Sequence, residues 1–511
     1  MAVLVQSSES TVQRRTVDWD FFALVGVLAI ILMIYVSNLN YNTAFVDEAI
    51  YIGNGQQALQ GTSGFSAVRY MFGSYLYPVL AALAGYLFGQ ELIGARVLSA
   101  ISITIAALAV YVLSRRLYGS LAGLAALVLF GFAANTQYVG QLATYDSLGI
   151  GLLAVAAALL VLGLTDTGPD RQEKLVFYAG VAFALSVLAK YIALLFVPAL
   201  VVLLLGLLRQ GDRQRVRLLQ TFAAPGVLIL VGYGVLFFDD LLRFVFEAGA
   251  YSSQPASQLV IVQTLINQWP YLALAIAGAV FVRASGNSSL ATGTLFVAAL
   301  TLPLYHIAAG NIRSLDKHIV YSLVFLLPLA GAAFAHTLTW LTGRGTAPQR
   351  SKAVQGLGVF TLVLVCFAFN YQSRQQLQQA WPNKRASIAF LATQPMPEGT
   401  TILAEGGETY ALALDWNTNV TLTKTWDTGY SYKATTGDDA LLAAVDDHVF
   451  DYIILDNYYT PDVSFRLEEA AIRAGYAIVH TDQQVISGSS NIITAVYASP
   501  TSNVEGGDAG H

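Results

Sequence analysis

The sequence predicts a polytopic α-helical membrane protein that ends in a soluble α/β domain. Its 511 residues are 55% apolar and only 12% charged, whereas soluble globular proteins carry about 25% charged residues. Long apolar runs recur up to residue 370 and not beyond it. Residues 1–370 hold 20 basic and 15 acidic residues, while residues 371–511 hold 7 and 17. The chain therefore divides into a membrane body and an acidic tail.

The apolar runs within residues 21–370 predict about eleven transmembrane helices. The run 175–208 is too long for one crossing, since about 20 residues span the hydrocarbon core, so we divide it into two helices that meet at Lys190. The stretch 78–89 is too short to span and predicts an interfacial or re-entrant segment within a first outer loop of residues 40–93. The runs are 21–39, 94–113, 118–136, 147–165, 175–208, 221–238, 269–283, 289–309, 319–341 and 355–370.

The first apolar run predicts a helix that stays in the membrane. Residues 1–20 are polar, and the run that follows lacks the small-residue signature of a cleavage site. We therefore expect a cytoplasmic N-terminus and no cleavable signal peptide.

The basic residues predict the orientation, because cytoplasmic loops are enriched in lysine and arginine. An inside N-terminus keeps most basic loops inside and puts the acidic tail outside. The expected location is the plasma membrane, a bacterial inner membrane. The basic loops on the inner side are 114–117, 166–174, 209–217, 283–288 and 342–354.

An acidic pair, Asp47 and Glu48, follows the first predicted helix on the outer side. Carboxylates at a membrane boundary are costly and typical of functional sites. A carboxylate here can accept a proton from an attacking hydroxyl group, so both residues are candidate catalytic groups. Alternatively, the pair caps the following helix, whose dipole favours negative charge at its start.

Asp146, preceded by Tyr145, opens the fourth predicted helix on the same outer side. The two residues are candidates for positioning an acceptor or, through the second carboxylate, for holding a cation. The alternative for Asp146 is an N-cap. Lys190 either contacts a phosphate or one of the carboxylates, or extends its ammonium group to water.

Arg313, Lys317 and His318 form a basic cluster at the outer end of the tenth predicted helix. Such a cluster suits a phosphate group at the bilayer surface, although anchoring of lipid headgroups is an alternative. The outer loop 239–268 predicts a lid carrying Tyr251 and Gln254, or an ordinary surface loop.

Several classes of site are excluded or unsupported. The single cysteine, Cys366, excludes an intramolecular disulfide and any cysteine-based metal site. The sequence has no nucleotide-binding motif and no basic stripe for nucleic acid. Two functions stay open for a membrane protein of this kind. One is a secondary transporter or flippase, which would place its charged residues at mid-membrane, and the other is an oligosaccharide polymerase or ligase.

The ordered motifs resemble the GT-C membrane glycosyltransferases, within the branch of bacterial protein mannosyltransferase-like enzymes and the lipid A aminoarabinose transferase. The resemblance covers about residues 20–370. The motifs that carry it are FVDEAIYIGNG, YLYPVLAALAGYLFGQELIGARVLSA, the RRLYG turn at 115–119, TYDSL, LAKYIALLFVPAL and DKHIVYSLVFLLPLAG.

The resemblance implies inverting transfer of a sugar from a polyprenyl-phosphate donor to an acceptor that is a glycan, a lipid or a protein. Asp47 would be the base, with Glu48 beside it. Asp146 would be the second carboxylate, and Lys190 with Lys317 or His318 would lie near the donor phosphate. Relatives often carry arginine where this chain has lysine and histidine. Some relatives bind a divalent metal, but this sequence has no dedicated ligand set, so a metal stays possible only by resemblance.

The tail predicts a linker at 371–385, an α/β domain at 386–499 and a disordered end at 500–511. Strand-like segments alternate with helical ones, which is typical of a partly parallel sheet. The strand-like segments are TTILAEG, NVTLTK, YIILDN, AIVHT and IITAVYA, and the helical ones are GDDALLAAVDDH and SFRLEEAAIRAG.

Overall fold

The computed structural model describes a helical bundle followed by a smaller domain with both helices and strands. The described residues are 19–62, 72–165, 168–207, 212–247, 257–285, 289–312, 314–342, 348–416, 420–486 and 491–500. The predicted disordered end beyond residue 500 and most of the predicted cytoplasmic N-terminus lie outside them.

Helices α1 to α15 and one 3₁₀ segment, η1, form the bundle. They are α1 (Trp19–Val36), α2 (Val46–Gln60), α3 (Leu76–Phe88), α4 (Glu91–Tyr118), α5 (Ser120–Phe132), α6 (Ala134–Gln141), α7 (Tyr145–Leu164), α8 (Pro169–Ala189), η1 (Tyr191–Phe196), α9 (Val197–Leu207), α10 (Asp212–Leu236), α11 (Phe238–Glu247), α12 (Ser257–Ala284), α13 (Ser289–Ala309), α14 (Leu315–Thr342) and α15 (Pro348–Gln378).

Each apolar run predicted to cross the membrane contains a helix. Among the described residues, eight helices are long and apolar enough to cross, and a ninth span results if α5 and α6, bent by 62°, are joined. Helix α1 and the stretch Tyr191–Gly206 are apolar but shorter. The predicted total of eleven is reached only when these two are counted. Helix α3 is also short, as expected for the stretch predicted not to span.

The break predicted within the run 175–208 falls at Lys190. This residue has extended backbone angles, φ −148° and ψ 114°, between α8 and η1. The helical hydrogen-bond ladder therefore stops at the lysine, which places its side chain at a helix end.

Helix α2 lies on α3, and α3 lies on α4, through glycines at both contacts. A Cβ added at Gly55 would lie 2.0 Å from the Pro78 carbonyl oxygen, and one at Gly94 would lie 2.4 Å from the Ala84 carbonyl oxygen. Only glycine allows backbones to approach this closely. The first outer loop is thus a packed layer, which fixes the start of α2.

Replacing Gly278 by alanine is expected to destabilise the bundle by about 1–3 kcal/mol, because the added methyl group overpacks the contact between α12 and α14. Its Cβ would lie 1.9 Å from the Leu329 carbonyl oxygen. Thermal unfolding in detergent measures the effect. Gly293→Ala is the control, since no heavy atom lies within 4 Å of that Cβ. Equal midpoints for the two variants would contradict the packing.

The C-terminal domain has a five-stranded sheet in the order β2-β1-β5-β7-β6. Strand β1 pairs in parallel with β2 and β5, whereas β7 pairs antiparallel with β5 and β6. The partly parallel sheet confirms the predicted α/β class. The strands are β1 (Thr400–Ala404), β2 (Val420–Lys424), β3 (Ser431–Tyr432), β4 (Thr435–Thr436), β5 (Tyr452–Leu455), β6 (Ala477–Val485) and β7 (Asn491–Ala498), and the helices are α16 (Arg385–Leu391), α17 (Gly407–Leu414), α18 (Asp438–Asp446) and α19 (Pro461–Arg473).

A buried charged cluster lies where the parallel strands β1 and β5 end. Glu405 accepts hydrogen bonds from the backbone N–H groups of Asn457 at 2.8 Å and Thr460 at 2.7 Å. Lys384 pairs with Asp456 at 2.8 Å and donates to the Glu405 carbonyl oxygen at 2.6 Å. Burial raises the pKa of Asp456 to about 6 despite this partner. The cluster ties the start of the domain to its sheet.

The same edge of the domain rests against the first outer loop. Thr409 donates a hydrogen bond to the Ala44 carbonyl oxygen at 3.1 Å. A Cβ added at Gly406, which has φ +61°, would lie 3.1 Å from Val46 Cγ2. Trp381, which is buried, donates to the Thr43 carbonyl oxygen at 3.2 Å. The C-terminal domain therefore contacts the residues that immediately precede Asp47.

Candidate active site

Glu48 and Arg96 form a fully buried ion pair beneath the start of α2. Arg96 Nε lies 2.8 Å from Glu48 Oε1, and Arg96 Nη2 lies 2.7 Å from Oε2. Both side chains have no exposed surface. Glu48 also accepts from the backbone N–H groups of Phe45 at 2.8 Å and Ala143 at 2.7 Å. Both of its oxygens are therefore engaged in holding the loop.

Arg96 binds the chain that leads into α2 as well. Its guanidinium group donates to the carbonyl oxygens of Leu39 at 2.5 Å, Asn42 at 3.1 Å and Thr43 at 3.3 Å. Charge-assisted bonds of this kind are strong when buried. Arg96 was not predicted as a site residue. Its position near the end of a membrane helix indicated only that the charged side chain needs a partner.

Asp47 differs from Glu48 because it remains partly exposed. Its Oδ2 accepts from Lys317 Nζ at 2.9 Å, and its side chain keeps 34% of its surface while that of Lys317 keeps 8%. Asp47 lies in the first turn of α2 and Lys317 in the first turn of α14. Of the two predicted catalytic carboxylates, Asp47 is the one that a substrate can reach.

Asp146 is fully buried and lies between two basic side chains. Its Oδ1 is 3.7 Å from Lys190 Nζ and 3.6 Å from His318 Nε2. Its Oδ2 accepts from Thr144 Oγ1 at 3.0 Å. Asp146 was predicted as a possible N-cap of α7, but the N-cap is Thr144, whose Oγ1 accepts from the Asp146 backbone N–H. The Asp146 carboxylate instead contacts Lys190 and His318.

Tyr145 and Lys190 are in direct contact. The Lys190 ammonium group lies 3.9 Å from the centre of the Tyr145 ring, within the range of a cation–π interaction. The Tyr145 ring also lies 4.4 Å from that of Tyr51. Since Lys190 is buried, it pairs with a carboxylate and a ring rather than extending to water.

His318 is hydrogen-bonded to a second histidine, His306, whose position inside an apolar helix favours a packed core histidine over a ligand. Its Nδ1 lies 2.8 Å from His306 Nε2, and His306 Nδ1 lies 2.6 Å from the Asn311 carbonyl oxygen. A hydrogen-bonded pair of imidazoles fixes the orientation of both rings. The pairing itself was not predicted, since a histidine within an apolar helix has no sequence spacing that connects it to His318.

Three predicted site residues, Arg313, Tyr251 and Gln254, lie outside the described residues. The others meet at one end of the bundle, because each lies at a helix terminus: the starts of α2, α7 and α14 and the end of α8. They are Asp47, Glu48, Tyr145, Asp146, Lys190, Lys317 and His318. No three His, Cys, Asp or Glu side chains among the described residues are grouped to hold a metal ion.

This arrangement combines a reachable carboxylate with adjacent buried cations. A partly exposed carboxylate can accept a proton. Lysines that are held by carboxylates within a poorly solvated site can stabilise an anion at short range. A possible proton acceptor and an anion-binding side chain are thus in direct contact, at 2.9 Å between Asp47 and Lys317.

A family match covers part of the bundle. Residues 74–236 match the dolichyl-phosphate-mannose-protein mannosyltransferase family. Among curated proteins, none matches the sequence significantly.

Three solved structures, of two proteins, share the fold over nearly the whole of this chain. ArnT from Cupriavidus metallidurans in the apo state has a TM-score of 0.62 at 13% identity and covers 94% of this chain and 98% of its own. Its complex with undecaprenyl phosphate has a TM-score of 0.61 at 13% identity and covers 92% and 97%. The archaeal oligosaccharyltransferase AglB from Archaeoglobus fulgidus, with an inhibitory peptide and a dolichol-phosphate, has a TM-score of 0.54 at 14% identity and covers 95% and 75%. The predicted resemblance to the GT-C fold is confirmed.

Proposed function

We propose, from the GT-C fold, that this protein transfers a sugar from a polyprenyl-phosphate donor to an acceptor hydroxyl group. The observation that carries the proposal is the 2.9 Å contact between Asp47 Oδ2 and Lys317 Nζ. It joins the exposed carboxylate to the basic cluster across 270 residues of sequence. A base and an anion-binding group are thereby held side by side.

In the proposed mechanism, Asp47 takes the proton of the acceptor hydroxyl group while that oxygen attacks the anomeric carbon of the sugar. The bond between the anomeric carbon and the phosphate oxygen breaks, and its electron pair leaves with the polyprenyl phosphate. Attack from the face opposite the phosphate inverts the anomeric configuration. Protonation removes the negative charge of Asp47, so Lys317 becomes available to the departing phosphate at the moment when charge develops there.

Lys190, Lys317 and His318 are proposed to bind the donor phosphate. Asp146 contacts Lys190 and His318 and would position both. Tyr145 would orient Lys190 through its ring. The undecaprenyl phosphate in the ArnT complex and the dolichol-phosphate in the AglB complex support a polyprenyl carrier.

Glu48 needs a different assignment from the predicted catalytic one. Its two oxygens accept four hydrogen bonds and are fully buried. We assign it as a positioning residue that fixes the first turn of α2, so that the neighbouring Asp47 faces the cluster.

The transporter alternative is less well supported by this geometry. Transporters commonly hold their ionisable groups near mid-membrane on discontinuous helices. Here the charged groups lie at helix termini on one side of the bundle. By the excess of basic residues in the opposite loops, that side would face away from the cytoplasm, at the plasma membrane.

The purified full-length chain, incubated with a panel of polyprenyl-phosphate sugars, tests the proposal. We expect free polyprenyl phosphate to accumulate when an extract that contains the acceptor is added, and not in the absence of that extract. Binding of a panel donor without any turnover, combined with movement of that donor across a vesicle membrane, would overturn transfer in favour of transport.

Lys190→Met is expected to weaken binding of polyprenyl phosphate by about tenfold or more, because hydrogen bonds from a charged donor contribute about 1.5–3 kcal/mol. Binding of the carrier to the purified variant measures the effect. Lys424→Met is the control, since Lys424 pairs with Glu408 in the C-terminal domain. Unchanged carrier affinity in Lys190→Met would remove Lys190 from the phosphate site.

A further inference from the structure

A cavity of about 270 Å³ lies between α2 and the C-terminal domain, next to the proposed site. Helix α2 contributes Asn54 and Gln57, and the domain contributes Trp416 and Trp426. The lining therefore combines side-chain amides with indole rings. None of these four residues belongs to the proposed catalytic machinery.

The cavity lies along the helix that carries Asp47, and its lining on α2 starts at Ala49, two residues after Asp47. Residues 47, 50, 54 and 57 share one face of α2, because they are spaced by three or four positions. With a rise of 1.5 Å per residue, Asn54 lies about 10 Å along the helix axis from Asp47. On the domain side, Gly406 touches Val46, and Glu408 follows two residues later in the lining. A molecule in the cavity can thus extend to the proposed base.

Glu408 adds a charged side chain to the lining of the cavity. Its side chain is only 9% exposed and pairs with Lys424 at 2.9 Å. Within the described part of the chain, neither of its carboxylate oxygens accepts a hydrogen bond of good geometry. Lys424 also lines the cavity, so this ion pair forms a charged part of its wall.

The side-chain amides of Asn54 and Gln57 can bind a ligand in the cavity. The side chains of Asn54 and Gln57 make no hydrogen bond with the described residues, although the neighbouring Gln56 bonds to Glu91. An amide offers a donor and an acceptor in one plane. The two amides can therefore bind a ligand that carries several hydroxyl groups, since each hydroxyl group is both donor and acceptor.

The two indoles supply the apolar part of the lining. Trp416 stacks on Tyr410, with ring centroids 6.1 Å apart and planes at 16°, which fixes its orientation. Trp426 keeps 37% of its surface exposed. Rigid aromatic rings bind flat apolar faces and exclude water from them. Sugar rings have such faces, bordered by hydroxyl groups.

We infer that this cavity, lined by Asn54, Gln57, Glu408, Trp416 and Trp426, binds the saccharide portion of the acceptor, so that the acceptor is a glycan rather than a bare protein side chain. This inference rests on the proposed function, since it gives the acceptor class for the same transfer. A saccharide bound along α2 presents a terminal hydroxyl group to Asp47.

Binding of soluble oligosaccharides to the full-length protein tests the inference without requiring transfer. The probes are tetrasaccharides of glucose, mannose, galactose and N-acetylglucosamine, the same sugars attached to a lipid, and a peptide rich in serine and threonine. We expect at least one soluble tetrasaccharide to bind, and Trp426→Ala to weaken it about tenfold, the size of one favourable aromatic contact.

Two glutamines on α2 give a matched pair of variants. Gln57 lines the cavity, and Gln60, also exposed, does not. Gln57→Ala should weaken the tetrasaccharide severalfold, whereas Gln60→Ala should leave its affinity unchanged. Thermal unfolding of each variant verifies the fold.

The outcomes separate this inference from the proposed function. Tetrasaccharide binding that Trp426→Ala weakens supports the cavity even if no donor is turned over. Binding of only the lipid-attached sugars, with the same loss in Trp426→Ala, assigns the acceptor as a glycolipid saccharide. Transfer that proceeds with the peptide alone, or an acceptor KM that Trp426→Ala leaves unchanged, overturns the inference while the proposed transfer stands.

Discussion

Asp47→Asn is expected to lower the rate of sugar transfer by about 10²–10⁴-fold, the usual contribution of a general base. Asparagine has the same shape and can still accept from Lys317, but its amide cannot take the acceptor's proton. Because the Asp47 side chain is one third exposed, the variant should fold and insert normally. Release of polyprenyl phosphate at saturating donor and acceptor measures the loss in kcat.

The control for this variant is Asp462→Asn, the same change at an exposed position in the first turn of α19. It should leave transfer unchanged. Carrier binding separates the roles further, since Asp47→Asn should retain the affinity for polyprenyl phosphate that Lys190→Met loses. Full activity in Asp47→Asn would eliminate this carboxylate as the base.

Arg96→Met is expected to destabilise the protein by about 3–5 kcal/mol, because it leaves the Glu48 carboxylate buried without its counter-charge. It also removes three bonds to the carbonyl oxygens that lead into α2. The start of α2 would then lose its fixed position, and transfer should fall together with stability. Thermal and denaturant unfolding in detergent measure the first effect.

Two further variants show whether the unpaired buried charge causes the loss of stability expected in Arg96→Met. Replacing both members in Glu48→Gln/Arg96→Met should recover part of the lost stability, since no unpaired charge remains. Arg466→Met removes an exposed arginine that pairs with Asp438 and Asp439, and such pairs contribute at most about 1 kcal/mol. If Arg96→Met lowered the free energy of unfolding no more than Arg466→Met does, the buried ion pair of Glu48 with Arg96 would not stabilise the fold.

Sequence reasoning located the helices and the charged residues but not their pairings. Long apolar runs mark spans because a bilayer requires about 20 apolar residues per helix, and a lysine within such a run had to mark a break. The contact of Asp47 with Lys317, however, joins positions 270 residues apart. Local patterns contain no information on which helix ends become neighbours.

The distinction between Asp47 and Glu48 shows the same limit. The two carboxylates are adjacent and chemically alike, so the sequence favoured a shared catalytic role. Helical geometry rotates successive side chains by about 100°, which directs one toward Arg96 in the protein interior and the other toward Lys317. Only the position of α2 against α4 decides which carboxylate is buried.

In the C-terminal domain, short apolar runs that alternate with helical segments predicted the five strands of the sheet. Helix α17 was missed, since it begins at the second of two successive glycines, Gly406 and Gly407, of which Gly406 adopts φ +61°. Glycines in succession are typical of a turn. The tight turn is indeed present, but a helix begins directly after it.

The contact between the domain edge and the chain before Asp47 limits how this protein can be recombined. Thr409 donates a hydrogen bond to Ala44, and Gly406 packs against Val46. Both the membrane body and the C-terminal domain therefore contribute residues to the junction between them. A chimera that grafts a foreign domain onto this membrane body would need to carry residues 43–46 with the graft. Otherwise the fused protein would keep its membrane helices and lose the fixed position of Asp47.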